Sequence, residues 1–263
     1  MIKLNNLYIK ETGNNEAERL IVFLHGGGVS GWMWNHQISY FKDDYCLIPD
    51  LPGHGRSPGT PPFSISRTAE VINEMISAKA DGREIVVFGF SLGAQILVEM
   101  ITQQPRLINY AIINSALLRP MPSAYRWIEP SVRMTYPLIR YRWFSGLQAK
   151  TLYVDETHFE QYYAESLQMS REMLVSVLQE NMSYAVSPAI QETTTKLLIT
   201  VGEKERGSLK KSAEDLEELC VHADRIVFPG IGHGIPLADP GLFNRVVDHW
   251  LDTGTVPEDL TQG

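Results

Sequence analysis

Residues Gly89 to Gly93, reading GFSLG, have types and spacing that could carry chemistry. The apolar run REIVVF precedes them and LGAQILVEM follows, so a tight turn from a strand into a helix is expected here. A turn that sharp needs small residues where side chains would collide, which accounts for Gly89 and Gly93. It would project the Ser91 hydroxyl at the carboxyl end of a sheet, where ligands bind in open α/β folds. The new helix would aim its first amides at the same place, favouring negative charge. Ser91 is therefore a candidate nucleophile; a serine that merely caps a helix is the plainer alternative.

A second glycine-rich string, HGGG at His25 to Gly28, follows the apolar run LIVFL. Successive glycines let backbone amides approach a substrate closely, as an acyl-transfer site requires for its oxyanion. The amides of Gly27 and Leu92 are the expected donors. His25 reads as a structural, hydrogen-bonded histidine, since the glycines hold the useful position. No G-K-[ST] follows, so a phosphate loop is disfavoured, and no H-E-x-x-H or similar cluster suggests a metal. Neither a metal nor a cofactor is expected.

These strings, with DLPGHGRS at Asp50 to Ser57 and GIGHG around His233, resemble the α/β-hydrolase superfamily over nearly the whole chain and in the right order. HGGG is similar to its oxyanion loop, GFSLG to its nucleophile elbow and GIGHG to the late segment that supplies a histidine. The resemblance implies that His233, in a loop after the strand-like RIVFPG, is the general base for Ser91. It also implies an acid in the loop after the strand that follows the insertion, commonly as G-x-x-D. Here that loop reads VGEKERGS, so Glu205 takes the matching position, with Glu203 as the near alternative. Relatives that use an aspartate at the elbow, the dehalogenases and epoxide hydrolases, are disfavoured by Ser91. The implied activity is a carboxylesterase-like serine hydrolase that cleaves a small ester through a Ser-His-Glu triad and an acyl-enzyme. Similar proteins with the same triad include C–C bond hydrolases, lyases, cofactor-free haloperoxidases and small-molecule sensors, and these stay open as alternatives.

The elements needed to position such residues follow from hydropathy. RLIVFLH, DYCLIPD, REIVVFG, NYAIINS, KLLITVG and RIVFPG are short apolar runs suited to strands covered on both faces. Helix-like stretches alternate with them: WMWNHQISYFK, SISRTAEVINEMISAKA with a cap at Ser64 or Ser66, LGAQILVEMITQQ, GSLKKSAEDLEELCVHA and GLFNRVVDHWLDTG. The alternation predicts an α/β fold with a mostly parallel, doubly wound sheet. KLNNLYIKE reads as a leading strand, and the polar tail TVPEDLTQG as frayed. Residues 118–195 lack a buried strand and read as a helical lid inserted between core segments 1–117 and 196–263. Its aromatic residues Trp127, Trp143 and Phe144 are the expected substrate-binding wall, with Tyr125, Met134 and Tyr136 as further candidates.

A net charge of −8 without a run of Lys or Arg argues against nucleic-acid binding. No apolar run reaches the ~20 residues that span a bilayer, and the N-terminus lacks a signal-peptide pattern. A cytoplasmic protein without a membrane partner, acting on a small molecule with an apolar part, is expected. Cys46 and Cys220 are expected to be buried thiols rather than a disulfide.

Overall fold

The computed structural model describes residues 7–257. Seven strands form one sheet: β1 (Ile9–Gly13), β2 (Arg19–Leu24), β3 (Tyr45–Pro49), β4 (Glu84–Phe90), β5 (Tyr110–Asn114), β6 (Lys196–Gly202) and β7 (Ala223–Phe228). Their spatial order is β1-β3-β2-β4-β5-β6-β7, parallel except for β1, which runs antiparallel to β3. Leu7 and Tyr8 of the expected leading strand KLNNLYIKE precede β1; residues 3–6 of that stretch, like residues 258–263 of the tail, lie outside the described residues.

Strands β2 to β6 are buried almost throughout, which explains their continuous apolar runs. Helices cover both faces: α1 (Asn35–Tyr40), α2 (Ile65–Lys79) and α3 (Leu92–Gln103) in the first part of the chain, α8 (Gly207–Leu219), α9 (Ile235–Ala238) and α10 (Pro240–Thr253) in the last. Two apolar clusters result, one on each face of the sheet, with Leu20, Val22 and Leu24 in one and Ile21 and Phe23 in the other. The period-2 alternation of β2 makes that division. Caps follow the sequence: Ser64 Oγ accepts from the Arg67 amide at the start of α2, and Pro240 opens α10 behind the Asp239 cap. His222, expected in a helix, instead lies in the turn before β7, where its carbonyl accepts from the Leu197 amide.

Between β5 and β6 the chain forms α4 (Pro122–Thr135), α5 (Arg142–Thr151), α6 (Glu156–Gln168) and α7 (Arg171–Ser183), with no strand. Among the described residues no helix is long and apolar enough to cross a membrane. Both cysteines are free and buried, and burial pushes their thiols up to about 12 for Cys46 and about 11 for Cys220.

Strand order reverses between β2 and β4, which pair directly, Leu24 opposite Gly89. HGGG and GFSLG, some 65 residues apart in sequence, therefore emerge side by side at the carboxyl ends of neighbouring strands.

Candidate active site

The turn from β4 into α3 carries Ser91 at φ +52°, ψ −109°, in the left-handed region that a side chain rarely adopts. The turn is crowded by backbone. A Cβ on Gly93 would stand 2.3 Å from the Leu24 carbonyl oxygen and 2.6 Å from that of His25. One on Gly89 would stand 2.7 Å from Ala94 Cα. Only glycine fits either place, as the spacing suggested. The Ser91 amide donates to the Asn114 carbonyl (2.9 Å), which pins the turn to the end of β5. Leu92 is the first residue of α3, so its amide has no helical carbonyl to reach. The Gly27 amide likewise donates to nothing among the described residues. Gly27, Ser91 and Leu92 line one cavity together.

The loop after β6 places Glu205 rather than Glu203 against His233. Glu205 Oε2 lies 3.0 Å from His233 Nδ1. Its other oxygen, Oε1, accepts from the Ser115 hydroxyl (2.7 Å) and the Gly202 amide (2.9 Å). The Glu205 side chain is fully buried, whereas His233 keeps 29% of its side-chain surface exposed. Glu203 is turned away and accepts from the Gly230 amide at 2.7 Å. The Phe90 ring packs against the imidazole with centroids 4.9 Å apart, which brings His233 beside the turn that carries Ser91. Among the described residues no hydrogen bond joins the Ser91 hydroxyl to the His233 ring.

Ser115 escaped sequence reasoning. It follows β5 directly at φ +59°, and nothing about NSALL marks it as a hydroxyl turned toward a carboxylate 90 residues on. Glu165 on α6 was missed as well. Its carboxylate accepts from Ser30 Oγ and Trp32 Nε1, each at 2.9 Å, so the insertion is tied to the loop that continues HGGG.

His25 is structural, as expected: buried, Nδ1 2.8 Å from the Gly26 carbonyl and Nε2 accepting from the Leu51 amide at 2.8 Å. Burial holds its pKa down to about 4, and that of His54, also buried, to about 3. Neither ring takes up a proton near neutral pH.

The cavity has a volume of about 710 Å³, inside the usual range for small-molecule sites. Its far wall comes from the insertion: Val132 on α4, Leu152 after α5, Tyr162 on α6, and Met173, Leu174 and Val177 on α7. The expected wall of Trp127, Trp143 and Phe144 is not where the structure puts these side chains. None lines the cavity. Trp127 and Trp143 are 69% and 62% exposed, and Phe144 packs edge-on to Trp143. The reason is helical phase: α4 turns Ile128 and Val132 inward, and Trp127 lies ~100° around the helix from Ile128. Of the further candidates, Tyr136 lines the cavity and Tyr125 and Met134 do not.

The sequence matches the model of the Alpha/beta hydrolase family over residues 21–246. An AB hydrolase superfamily protein of Gibberella zeae is 29% identical over 103 residues, 38% of this chain and 36% of that one. The pimeloyl-[acyl-carrier protein] methyl ester esterase of Methylococcus capsulatus is 24% identical over 245 residues, covering 92% of this chain and 89% of that one. The chain spans less than half the length of several other curated relatives it matches. Among solved structures, a bromoperoxidase from Bacillus anthracis superimposes with a TM-score of 0.81 at 14% identity, covering 95% of this chain and 98% of that one. At that identity the likeness is one of fold. With the family matched across most of its length, the chain belongs to the alpha/beta hydrolase family.

Proposed function

We propose that the protein is a serine hydrolase that cleaves a small ester with an apolar acyl group. The observation that carries this reading is the Glu205–His233 contact of 3.0 Å beside the strained Ser91 turn. A buried carboxylate that accepts from Nδ1–H fixes the imidazole tautomer, leaving Nε2 with its lone pair toward the serine side. As substrate fills the cavity, the Ser91 hydroxyl turns to Nε2 and gives up its proton while Oγ attacks the ester carbonyl carbon. The carbonyl oxygen becomes an oxyanion between the Gly27 and Leu92 amides, each worth on the order of 3 kcal/mol to the transition state. His233 then protonates the departing alcohol, leaving an acyl-enzyme on Ser91. Water, deprotonated by the same nitrogen, releases the acid and restores Ser91.

The apolar wall from α4 to α7 supports an acyl group without charge at its far end. Among the described residues Arg56 and Glu165 are the only Arg, Lys, Asp or Glu side chains that line the cavity, and Glu165 is held by Ser30 and Trp32. The insertion serves as a lid in this reading. The name of the Methylococcus relative supports an ester as the substrate. A series of p-nitrophenyl esters of increasing acyl length tests the proposal. Burst kinetics with a maximum at intermediate length are expected; absence of turnover across the whole series contradicts it.

A further inference from the structure

The large apolar side chains left in solvent are concentrated in one stretch of the chain. Of ten that are exposed among the described residues, eight lie between Tyr125 and Leu167. The most exposed of these are Met134 (73%), Trp127, Trp143 and Leu147 (57%), all on α4 and α5. They are not scattered around those helices. Trp127 and Met134 are seven residues apart, two turns along one stripe of α4. Trp143, Leu147 and Lys150 stand at i, i+4 and i+7 on α5, opposite its buried Ser145 and Ala149. The inner sides of the same helices, through Val132, Thr135 and Gln148, line the Ser91 cavity. The indole nitrogens of Trp127 and Trp143 donate to nothing among the described residues.

Charge is concentrated in the same segment. Residues 122–151 hold five basic side chains, Arg126, Arg133, Arg140, Arg142 and Lys150, against one acid, Glu129. That is a net +4 within a chain of net −8. Arg142 pairs with Glu160; the other four form no ion pair among the described residues. A second copy of the chain would set +4 against +4, so this face does not suit self-association. Exposed tryptophan, methionine and leucine flanked by Arg and Lys match the composition that settles at the boundary of headgroups and acyl chains.

We propose that the outer face of α4 and α5 docks the protein onto an anionic lipid surface, with the Ser91 cavity directly behind it. Docking is distinct from spanning, for which no helix among the described residues is long and apolar enough, and it replaces the expectation of no membrane contact. The inference stands apart from the esterase reading, because its test measures binding and not turnover.

The test is co-sedimentation of the full chain with phosphatidylcholine vesicles containing about 30 mol% phosphatidylglycerol, beside pure phosphatidylcholine. Binding to the anionic vesicles is expected, reversed by about 0.5 M salt. The pair Trp127→Ser and Trp143→Ser should weaken it on the order of tenfold. Arg126→Gln and Arg140→Gln should weaken it about fivefold each. All four lie outside the cavity, so thermal melting and hydrolysis of a soluble ester should match the parent and show that the variants are folded. No sedimentation with anionic vesicles overturns the proposal and points to an acidic protein as the partner. Equal binding to both vesicle types, or binding untouched by the tryptophan pair, overturns it too. So does a dimer on sizing that the tryptophan pair dissolves.

Discussion

Replacing Glu205 with Gln changes one atom and, by the geometry, most of the chemistry. The carboxylate accepts three hydrogen bonds, two on Oε1 from Ser115 and Gly202 and one on Oε2 from His233. A carboxylate can accept at both oxygens; an amide can do so at one. If the amide oxygen stays with Ser115 and Gly202, its NH2 faces Nδ1. The imidazole must then offer a lone pair at Nδ1 and carry its proton on Nε2, the nitrogen that has to receive the Ser91 proton. A histidine held in the wrong tautomer costs about ten-thousandfold in kcat, or roughly 5.5 kcal/mol. If the amide is reversed, its NH2 meets the Gly202 N–H in a buried place. That leaves a donor unpaired and costs about 1–3 kcal/mol of stability. The first arrangement is the cheaper, so Glu205→Gln should lose about 10³- to 10⁴-fold in kcat with KM changed less than about threefold. Glu203→Gln, which disturbs only the contact to Gly230, should keep kcat within about twofold. Steady-state hydrolysis of p-nitrophenyl butyrate measures both. A Glu205→Gln enzyme within tenfold of the parent, or an inactive Glu203→Gln, would refute the assignment.

Other consequences are open to measurement. Ser115→Ala removes a hydrogen bond to a buried carboxylate and should lower kcat about tenfold, yet cost little more once Glu205→Gln is present; additive losses in that double-mutant cycle would deny Ser115 its positioning role. Gly93→Ala drives a Cβ into two backbone carbonyls and should destabilise by about 3 kcal/mol or more in urea unfolding, with a loss under 1 kcal/mol counting against the crowded turn. Val177→Phe narrows the cavity beside Gly27 and should cut turnover of an octanoyl ester relative to an acetyl ester on the order of tenfold; an unchanged ratio would place the acyl group elsewhere. Stability should also depend on pH through the two buried histidines. Unfolded, His25 and His54 titrate near 6.5, whereas folded they stay neutral down to about 4 and about 3. Below pH 6.5 the unfolded chain therefore binds protons that the folded chain refuses. Stability falls as pH drops, by about 1.6 kcal/mol per histidine between pH 6.5 and 5. Urea unfolding at the two pH values checks this, and a flat stability would contradict it.

Legibility from sequence followed the range of the forces involved. The sheet strands were readable because β2 to β6 are covered on both faces over most of their length and so carry nearly continuous apolar runs. The Ser91 turn was readable because its crowding is local and demands glycine at fixed spacing. Glu205 needed the family resemblance, since nothing in VGEKERGS separates it from Glu203; only the fold turns one inward and ties the other to Gly230. The pocket wall failed for a different reason. Large aromatic residues in α4 and α5 look like lining by size, but helical phase decides which way they face. The prolines at 122 and 130 hid the helix that would have revealed the phase. Ser115 and Glu165 act through partners 90 and more than 130 residues away, beyond the reach of any local pattern.

The central claim is that Ser91 is the nucleophile, activated by His233. Incubation with a fluorophosphonate, followed by intact-mass and peptide mass spectrometry, tests it directly. The account predicts one phosphonyl adduct per chain, on Ser91, absent in Ser91→Ala and greatly slowed in His233→Ala. A folded parent protein that stays unmodified, or is modified on another residue while Ser91 is left free, would contradict it.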